Sequence, residues 1–283
     1  MRRSVVSLHP LALALTAVIN ETRVCARRGF VRGKHAPKNL PEKERSVNET
    51  ASSLEGLWYP LFLSLADRVC LVVGGGAVGE RKVRKLLEHG ARVRLVAEGL
   101  SPWLEQARLR GAVDYLGPAY RSDHMIGVDL VFAATSDEGL NRRIAEDARS
   151  RRVWCNMASS PHLGTCLVPA SFRRGPLTVA VATEGLSPAV ARRIRQSLEN
   201  QFGPEWEPYL RFLGALRRDI QERTGDSAFN QELFRALAEL PLTDWIRRGR
   251  FAEIIDAVCE LCRGIVPHER VASLWDKAWN TSC

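Results

Sequence analysis

The fold is decided by one stretch, Val69-Cys70-Leu71-Val72-Val73-Gly74-Gly75-Gly76-Ala77-Val78-Gly79. An apolar run rich in β-branched residues, with no polar alternation, reads as a strand buried on both faces. The glycines after it satisfy G-x-G-x-x-G through Gly74, Gly76 and Gly79. Gly74 permits the tight turn, Gly76 lets the backbone approach a pyrophosphate, and Gly79 lets the next helix pack close to the strand. The helix opening at Ala77 and Val78 offers free N–H groups and the positive end of its dipole to those phosphates. Strand before and helix after distinguish this pattern from a plain packing turn.

Outward from this stretch the same alternation repeats. Apolar runs at Val93–Val96, Leu130–Ala134 and Val153–Met157 read as strands, with helical patterns at Val78–His89, Pro102–Arg110 and Leu140–Arg149. Alternating strands and helices predict a Rossmann-type α/β domain with a parallel sheet over residues 56–168. A further strand at Leu177–Ala182 leads to Ser187-Pro188, a cap residue with proline at the first helical position. The helix it opens runs to about Phe202, so 169–203 forms a separate segment. Beyond Gly203-Pro204 the pattern is helical, with Tyr209, Phe212, Leu213 and Leu216 on one face, giving a C-terminal helical domain over 204–283. The second strand ends at Val96-Ala97-Glu98, which places an acid where a ribose 2′-hydroxyl is held. No arginine follows to welcome a 2′-phosphate, so NAD is favoured over NADP.

Composition narrows the class. The 283 residues are 45% hydrophobic and 26% charged, which fits a folded globular protein and excludes fibrous or disordered classes. Seven cysteines without a regular spacing argue against a disulfide scaffold and for a reducing, cytoplasmic setting. No apolar run reaches the ~18 residues of a membrane helix. The net charge is +9, but residues 1–55 hold ten Lys/Arg against five Glu, leaving only +4 for the rest. The basic excess is therefore a leader and not a nucleic-acid face. That leader, with Arg2 and Arg3 before Leu11–Ile19 and no small-residue cleavage site, is expected to be a disordered tail or a start placed too far upstream, rather than a targeting segment.

The chain also resembles a family. Val72–Lys82, Leu86–Ala91, Tyr59-Pro60-Leu61-Phe62 and Ala133-Ala134-Thr135-Ser136-Asp137 are similar to blocks of the siroheme-synthase dehydrogenases. Asn141, Cys155-Asn156, Pro169-Ala170, Gly175-Pro176-Leu177 and Thr183-Glu184-Gly185-Leu186-Ser187-Pro188 follow in the same order. The resemblance implies NAD-dependent oxidation of precorrin-2 to sirohydrochlorin, with Fe²⁺ insertion in some members. It further implies a homodimer whose contact lies largely in 169–203; the charge distribution and the lack of a long apolar run point to neither a nucleic-acid nor a membrane partner. Under it the cofactor is held by Gly74, Gly76, Ala77, Val78 and Gly79, with Glu98, Gly99 and Thr135 on the adjoining loops.

The substrate, a tetrapyrrole with many carboxylates, asks for cations and for a proton acceptor. Arg192 and Arg195, three apart on the helix after Ser187-Pro188, form a carboxylate clamp or else a solvated, ion-paired face. Asn156 and Thr183 match positions near the substrate in relatives; Thr183 is equally an ordinary strand-end residue. Bifunctional relatives carry an aspartate three residues after the asparagine matching Asn156, implicated in proton handling and chelation. Here it is Ser159, which is no carboxylate base and puts ferrochelatase activity in doubt. Asp137 and His162 are the neighbours able to compensate. Their ordinary readings are a helix cap and a loop histidine. Cys259-x-x-Cys262 lacks a second pair at zinc spacing and reads as helix core, so no resident metal site is expected. Two competing functions remain: a bifunctional dehydrogenase and ferrochelatase, and a non-catalytic NAD-binding regulatory module.

Overall fold

The computed structural model describes residues 58–281; the leader expected at 1–55 lies outside them. β1 (Val69–Val73) is the middle strand of a five-stranded parallel sheet in the order β3-β2-β1-β4-β5. The others are β2 (Arg92–Val96), β3 (Asp114–Gly117), β4 (Leu130–Ala133) and β5 (Trp154–Met157). The unbroken apolar run in β1 follows from this position, because helices cover both faces. Cys70 and Val72 pack on one side with Val83 and Leu86 of α1 (Ala77–Glu88) and Leu104 and Ala107 of α2 (Pro102–Leu109). Leu71 and Val73 pack on the other with Ile144, Ala145 and Ala148 of α3 (Glu138–Arg151).

In register, Val73 lies beside Val96 on one side and Ala133 on the other. The loops leaving β1, β2 and β4 therefore emerge together at the carboxyl edge. The strand order reverses between β1 and β4, and such a switch point is where open α/β sheets bind ligands.

β3 is the strand the sequence pattern does not announce. It is four residues long, lies at the sheet edge, and its partner register shifts at Leu95/Val96. Tyr115 secures it by donating from its hydroxyl to the Ala97 carbonyl at 2.8 Å.

A separate antiparallel hairpin follows, β6 (Ala170–Arg174) and β7 (Leu177–Val181), turning at Gly175 with φ +52°. Only β7 stands out in the sequence; β6 alternates Ser171 and Arg173 outward with Phe172 buried. α4 (Pro188–Gln201) starts at Ser187, whose hydroxyl accepts from the Val190 N–H at 3.3 Å.

Five helices complete the chain: α5 (Trp206–Arg223), α6 (Ser227–Glu239), α7 (Leu242–Arg247), α8 (Phe251–Cys262) and α9 (His268–Asn280). They share a core around Phe212, Leu216, Ile220, Ile254 and Val258. Cys262 is buried in it and Cys259 packs against it, so the pair serves as helix core. Two buried carboxylates tie the helices together. Asp219 receives Arg223 and Arg270, each at 2.7 Å, joining α5 to α9. Glu205 receives Arg247 of α7 at 2.5 Å. Among the described residues no helix is long and apolar enough to cross a membrane.

Candidate functional site

The glycine turn divides its tasks by distance. Gly74 has φ +123°, and a Cβ there would lie 2.3 Å from the Ala134 carbonyl oxygen, so side chains are excluded twice over. A Cβ on Gly79 would lie 1.9 Å from the Gly74 carbonyl oxygen, which is the close helix–turn packing expected of the third glycine. Gly76 is the opposite case: a Cβ would meet nothing within 4 Å. It opens outward with Ala77 and Val78, all three exposed, and as N-cap of α1 it supplies no side chain to the first turn. The N–H groups of that turn therefore point into open space beside a backbone without a Cβ. This arrangement fits the pyrophosphate of a nicotinamide dinucleotide.

Gly75, the unassigned position of the motif, is as constrained as its neighbours. A Cβ there would come within 2.0 Å of the Gly99 carbonyl oxygen, and the Ser101 N–H donates to the Gly75 carbonyl at 3.1 Å. The 97–101 loop is thereby pressed onto the glycine turn. Ser101 extends the link: its hydroxyl donates to Glu80 Oε2 at 2.5 Å while accepting from the Leu104 N–H at 3.3 Å, which caps α2. The Ser101 hydrogen bond, with Arg84, holds the Glu80 carboxyl below its ordinary range. Glu98 stands exposed on this loop, with no hydrogen bond or ion pair among the described residues.

On the other side of β1, the 134–137 loop is pinned by Asn141, which is almost fully buried. Its Nδ2 donates to the Thr135 carbonyl at 3.0 Å, and its Oδ1 receives the Thr135 hydroxyl at 2.8 Å. Thr135 is thus locked where Gly74 needs it, its amide 3.1 Å from the Cβ position of that glycine. Asp137 caps α3, accepting from the Leu140 N–H at 3.0 Å. The cap role read for it in the sequence is the one its geometry performs.

The remaining residues form a second group near β5. Asn156 is buried, and its Nδ2 donates to the Cys166 carbonyl at 3.0 Å. Ser159 is exposed beyond the strand end, and His162 is exposed in the short 3₁₀ turn Pro161–Leu163. This turn meets the next loop, since a Cβ on Gly185 would lie 3.4 Å from Pro161 Cβ. In that loop the Thr183 hydroxyl donates to the Ser187 carbonyl at 3.0 Å and accepts from the Ser187 N–H at 3.2 Å. Thr183 therefore shapes the entry to α4.

The two arginines part company. Arg195 is bound to Glu199, which also pairs with Arg174 at 3.5 Å. Arg192 is exposed and has no carboxylate partner among the described residues. One residue carries no role in the sequence reading yet stands out electrostatically. Lys82 Nζ lies over the Phe132 ring, 5.2 Å from its centroid. Burial, assisted by Arg81, draws its pKa down to about 8. Burial also pushes the thiols of Cys155 and Cys166 up to about 11 and about 12, which removes both as nucleophiles near neutrality.

Residues 61–170 match a family described as NAD(P)-binding, and residues 174–201 match the central region of sirohaem biosynthesis proteins. The siroheme synthase of Thioalkalivibrio sulfidiphilus is 34% identical over 193 residues, covering 68% of this chain and 40% of that protein. That of Citrobacter koseri is 36% identical over 164 residues, covering 58% of this chain and 36% of that protein. The chain thus spans less than half the length of these relatives. Among solved structures, SirC, a precorrin-2 dehydrogenase, superposes with a TM-score of 0.60 at 25% identity, over 72% of this chain and 100% of SirC. Residues 61–201 thus carry an NAD(P)-binding match followed directly by a match to the central region of sirohaem biosynthesis proteins, and over that span the chain is similar to siroheme synthases.

Proposed function

We propose that this protein oxidises precorrin-2 to sirohydrochlorin with NAD⁺. The observation that carries the reading is the ordered pair of an NAD(P)-binding module and the sirohaem central region, with an open cradle at Gly76. The reaction removes a hydride and a proton from the reduced macrocycle, and hydride acceptance is the chemistry a nicotinamide supplies when bound. This chain's residues do the rest. The first turn of α1 holds the pyrophosphate, and Asn141, through Thr135, fixes the loop that borders it. Glu98, exposed and unpaired, accepts from a ribose 2′-hydroxyl and repels a 2′-phosphate, which favours NAD⁺ over NADP⁺. Arg192 offers its guanidinium to a substrate carboxylate. The departing proton goes to His162, which lies beside Ser159 on the exposed turn.

The acceptor of the macrocycle is a homodimer in this reading. Leu186, Val190 and Ile194 are 87%, 47% and 41% exposed, and they form the apolar strip that a second copy covers. Ser159 supplies no carboxylate for taking protons from pyrrole nitrogens, so Fe²⁺ insertion is not part of the proposal.

The test is anaerobic incubation of the purified protein with precorrin-2 and NAD⁺, followed by absorption. The expected result is the sirohydrochlorin spectrum, faster than without enzyme and dependent on NAD⁺. A protein that binds NAD⁺ but leaves precorrin-2 unchanged would overturn the catalytic reading in favour of a binding module.

A further inference from the structure

The α1 face of the sheet carries a cation that the fold does not neutralise. Lys82 projects from α1 over Phe132 of β4, which is in register with Asn156 of β5. Phe132 and Asn156 leave the sheet on the same face, because Val131, Ala133, Cys155 and Met157 all enter the core on the opposite one. Asn156 in turn holds the Cys166 carbonyl, and the Cys155 carbonyl accepts from the Thr165 and Cys166 N–H groups, so the chain after the 3₁₀ turn runs along the free edge of β5 with Cys166 packed into the cluster of Phe132. α3 packs on the far side, and on this face Phe132 shares its cluster with Val83 and Leu86 of α1 and with Cys166 of the return segment.

Lys82 is therefore enclosed by Phe132 from β4, Cys166 from the return segment and Arg81 on its own helix. No carboxylate among the described residues bonds to it or acts on it electrostatically. Cys166 is a protonated thiol at neutral pH and offers no compensating charge. An ammonium with three donors and no acceptor is unfavourable when desolvated, and replacing it by an apolar side chain of similar volume is the stabilising alternative. The site is not sealed, however. Lys82 is half-buried, and its amine is not among the enclosed unpartnered polar atoms of the described residues. A charge kept in this state beside Phe132 and Cys166 is arranged for an anion that arrives from outside.

We propose that Lys82, framed by Phe132 and Cys166, is an anion subsite that receives one carboxylate arm of the tetrapyrrole. This rests on the tetrapyrrole reading of the site given above. The arm fills the empty donors of the ammonium and fixes the macrocycle against the return segment; Lys82 is a positioning residue and transfers no proton.

The experiment uses uroporphyrin, a stable tetrapyrrole with eight carboxylates, as an equilibrium probe that needs no turnover. Binding to the full chain is followed by tryptophan quenching between pH 6.5 and 9.5. Affinity is expected to fall as the pH passes about 8, where the free lysine loses its charge. In Lys82→Met, binding at pH 7 weakens by about tenfold or more, the size of a charge-assisted hydrogen bond. The same variant, free of ligand, melts at an equal or higher temperature, which a merely structural lysine would not produce. In Lys82→Arg the charge persists, and the pH dependence between 8 and 9.5 flattens. Reductive ¹³C-methylation gives the direct reading, the Lys82 signal being the one of the six lysine signals that Lys82→Met removes. The Lys82 signal is expected to titrate near 8 in the free protein and higher with uroporphyrin bound.

Wild-type affinity in Lys82→Met, or a Lys82 titration that uroporphyrin does not move, overturns the subsite. The two proposals fail separately. Lys82-dependent uroporphyrin binding without precorrin-2 oxidation removes the dehydrogenase and keeps the subsite. Oxidation by Lys82→Met at unchanged KM removes the subsite and keeps the dehydrogenase.

Discussion

Gly79 stands so close to Gly74 that a methyl group on the first would sit 1.9 Å from the carbonyl oxygen of the second. Backbone is the obstacle, so neither side can yield cheaply. Gly79→Ala is expected to destabilise the sheet domain by about 2–4 kcal/mol, as overpacking against main chain does. Gly76→Ala makes the contrasting test, because its Cβ enters open space and its φ of −79° suits any residue. That variant is expected to melt as wild type and to lose dinucleotide affinity. Calorimetry with NAD⁺ titration on the two proteins separates a structural glycine from a cofactor glycine.

Cofactor choice falls to Glu98. Glu98→Ser removes the carboxylate that receives the 2′-hydroxyl and opposes a 2′-phosphate. The ratio of kcat/KM for NAD⁺ over NADP⁺ is expected to fall by about tenfold or more, the size of one hydrogen bond to a charged group. An unchanged ratio would locate the discrimination elsewhere.

Ser159 marks the limit of the chemistry. Ser159→Asp places a carboxylate on the exposed loop just beyond β5, where the side chain has no hydrogen-bond partner to disturb. Fe²⁺ insertion into sirohydrochlorin, measured anaerobically by absorption, is expected to rise above the wild-type rate while oxidation of precorrin-2 persists.

The helical region has its own acid sensitivity. Burial pushes the Asp219 carboxyl up, but the hydrogen bonds from Arg223 and Arg270 outweigh it and hold the group below its ordinary range. A carboxylate with a lowered folded pKa contributes stability that is fully present above its unfolded value, near 3.8, and lost as the pH falls through the folded one. Asp219→Asn is expected to cost about 3 kcal/mol at pH 7, since it leaves two arginines without their anion, and the cost shrinks as the pH falls through the lowered folded value. Urea melts across that range would show the two proteins converging in acid.

Much of this was legible in the sequence because local chemistry and tertiary position agree. Val69–Val73 has no polar residue to place in solvent, and it became the central strand. Asp137 and Ser187 each precede a helix that they cap with a hydrogen bond. β3 and β6 were not legible, since an edge strand and a hairpin arm keep half their residues wet and blur the alternation. The Gly75 constraint was hidden because it comes from Gly99, distant in sequence and invisible to a motif. The arginine pair looked uniform along the helix, yet Glu199 one turn on neutralises Arg195 and not Arg192. Lys82 was unreadable for a related reason. On paper it is one more charge in a basic helix, and only the approach of Phe132 and Cys166 makes it unusual.

The placement of β1 also sets a timetable for synthesis. Its two neighbours are β2 and β4, and Cys70 meets Val93 on one flank but Leu130 on the other. β1 and β2 therefore leave the ribosome well before the strand that completes them, with a flat apolar edge open to any passing chain. At roughly 5–20 residues per second the interval to the emergence of Ala133 lasts a few seconds. Slower translation between Val96 and Ala133 lengthens the time for which that edge stays unpaired.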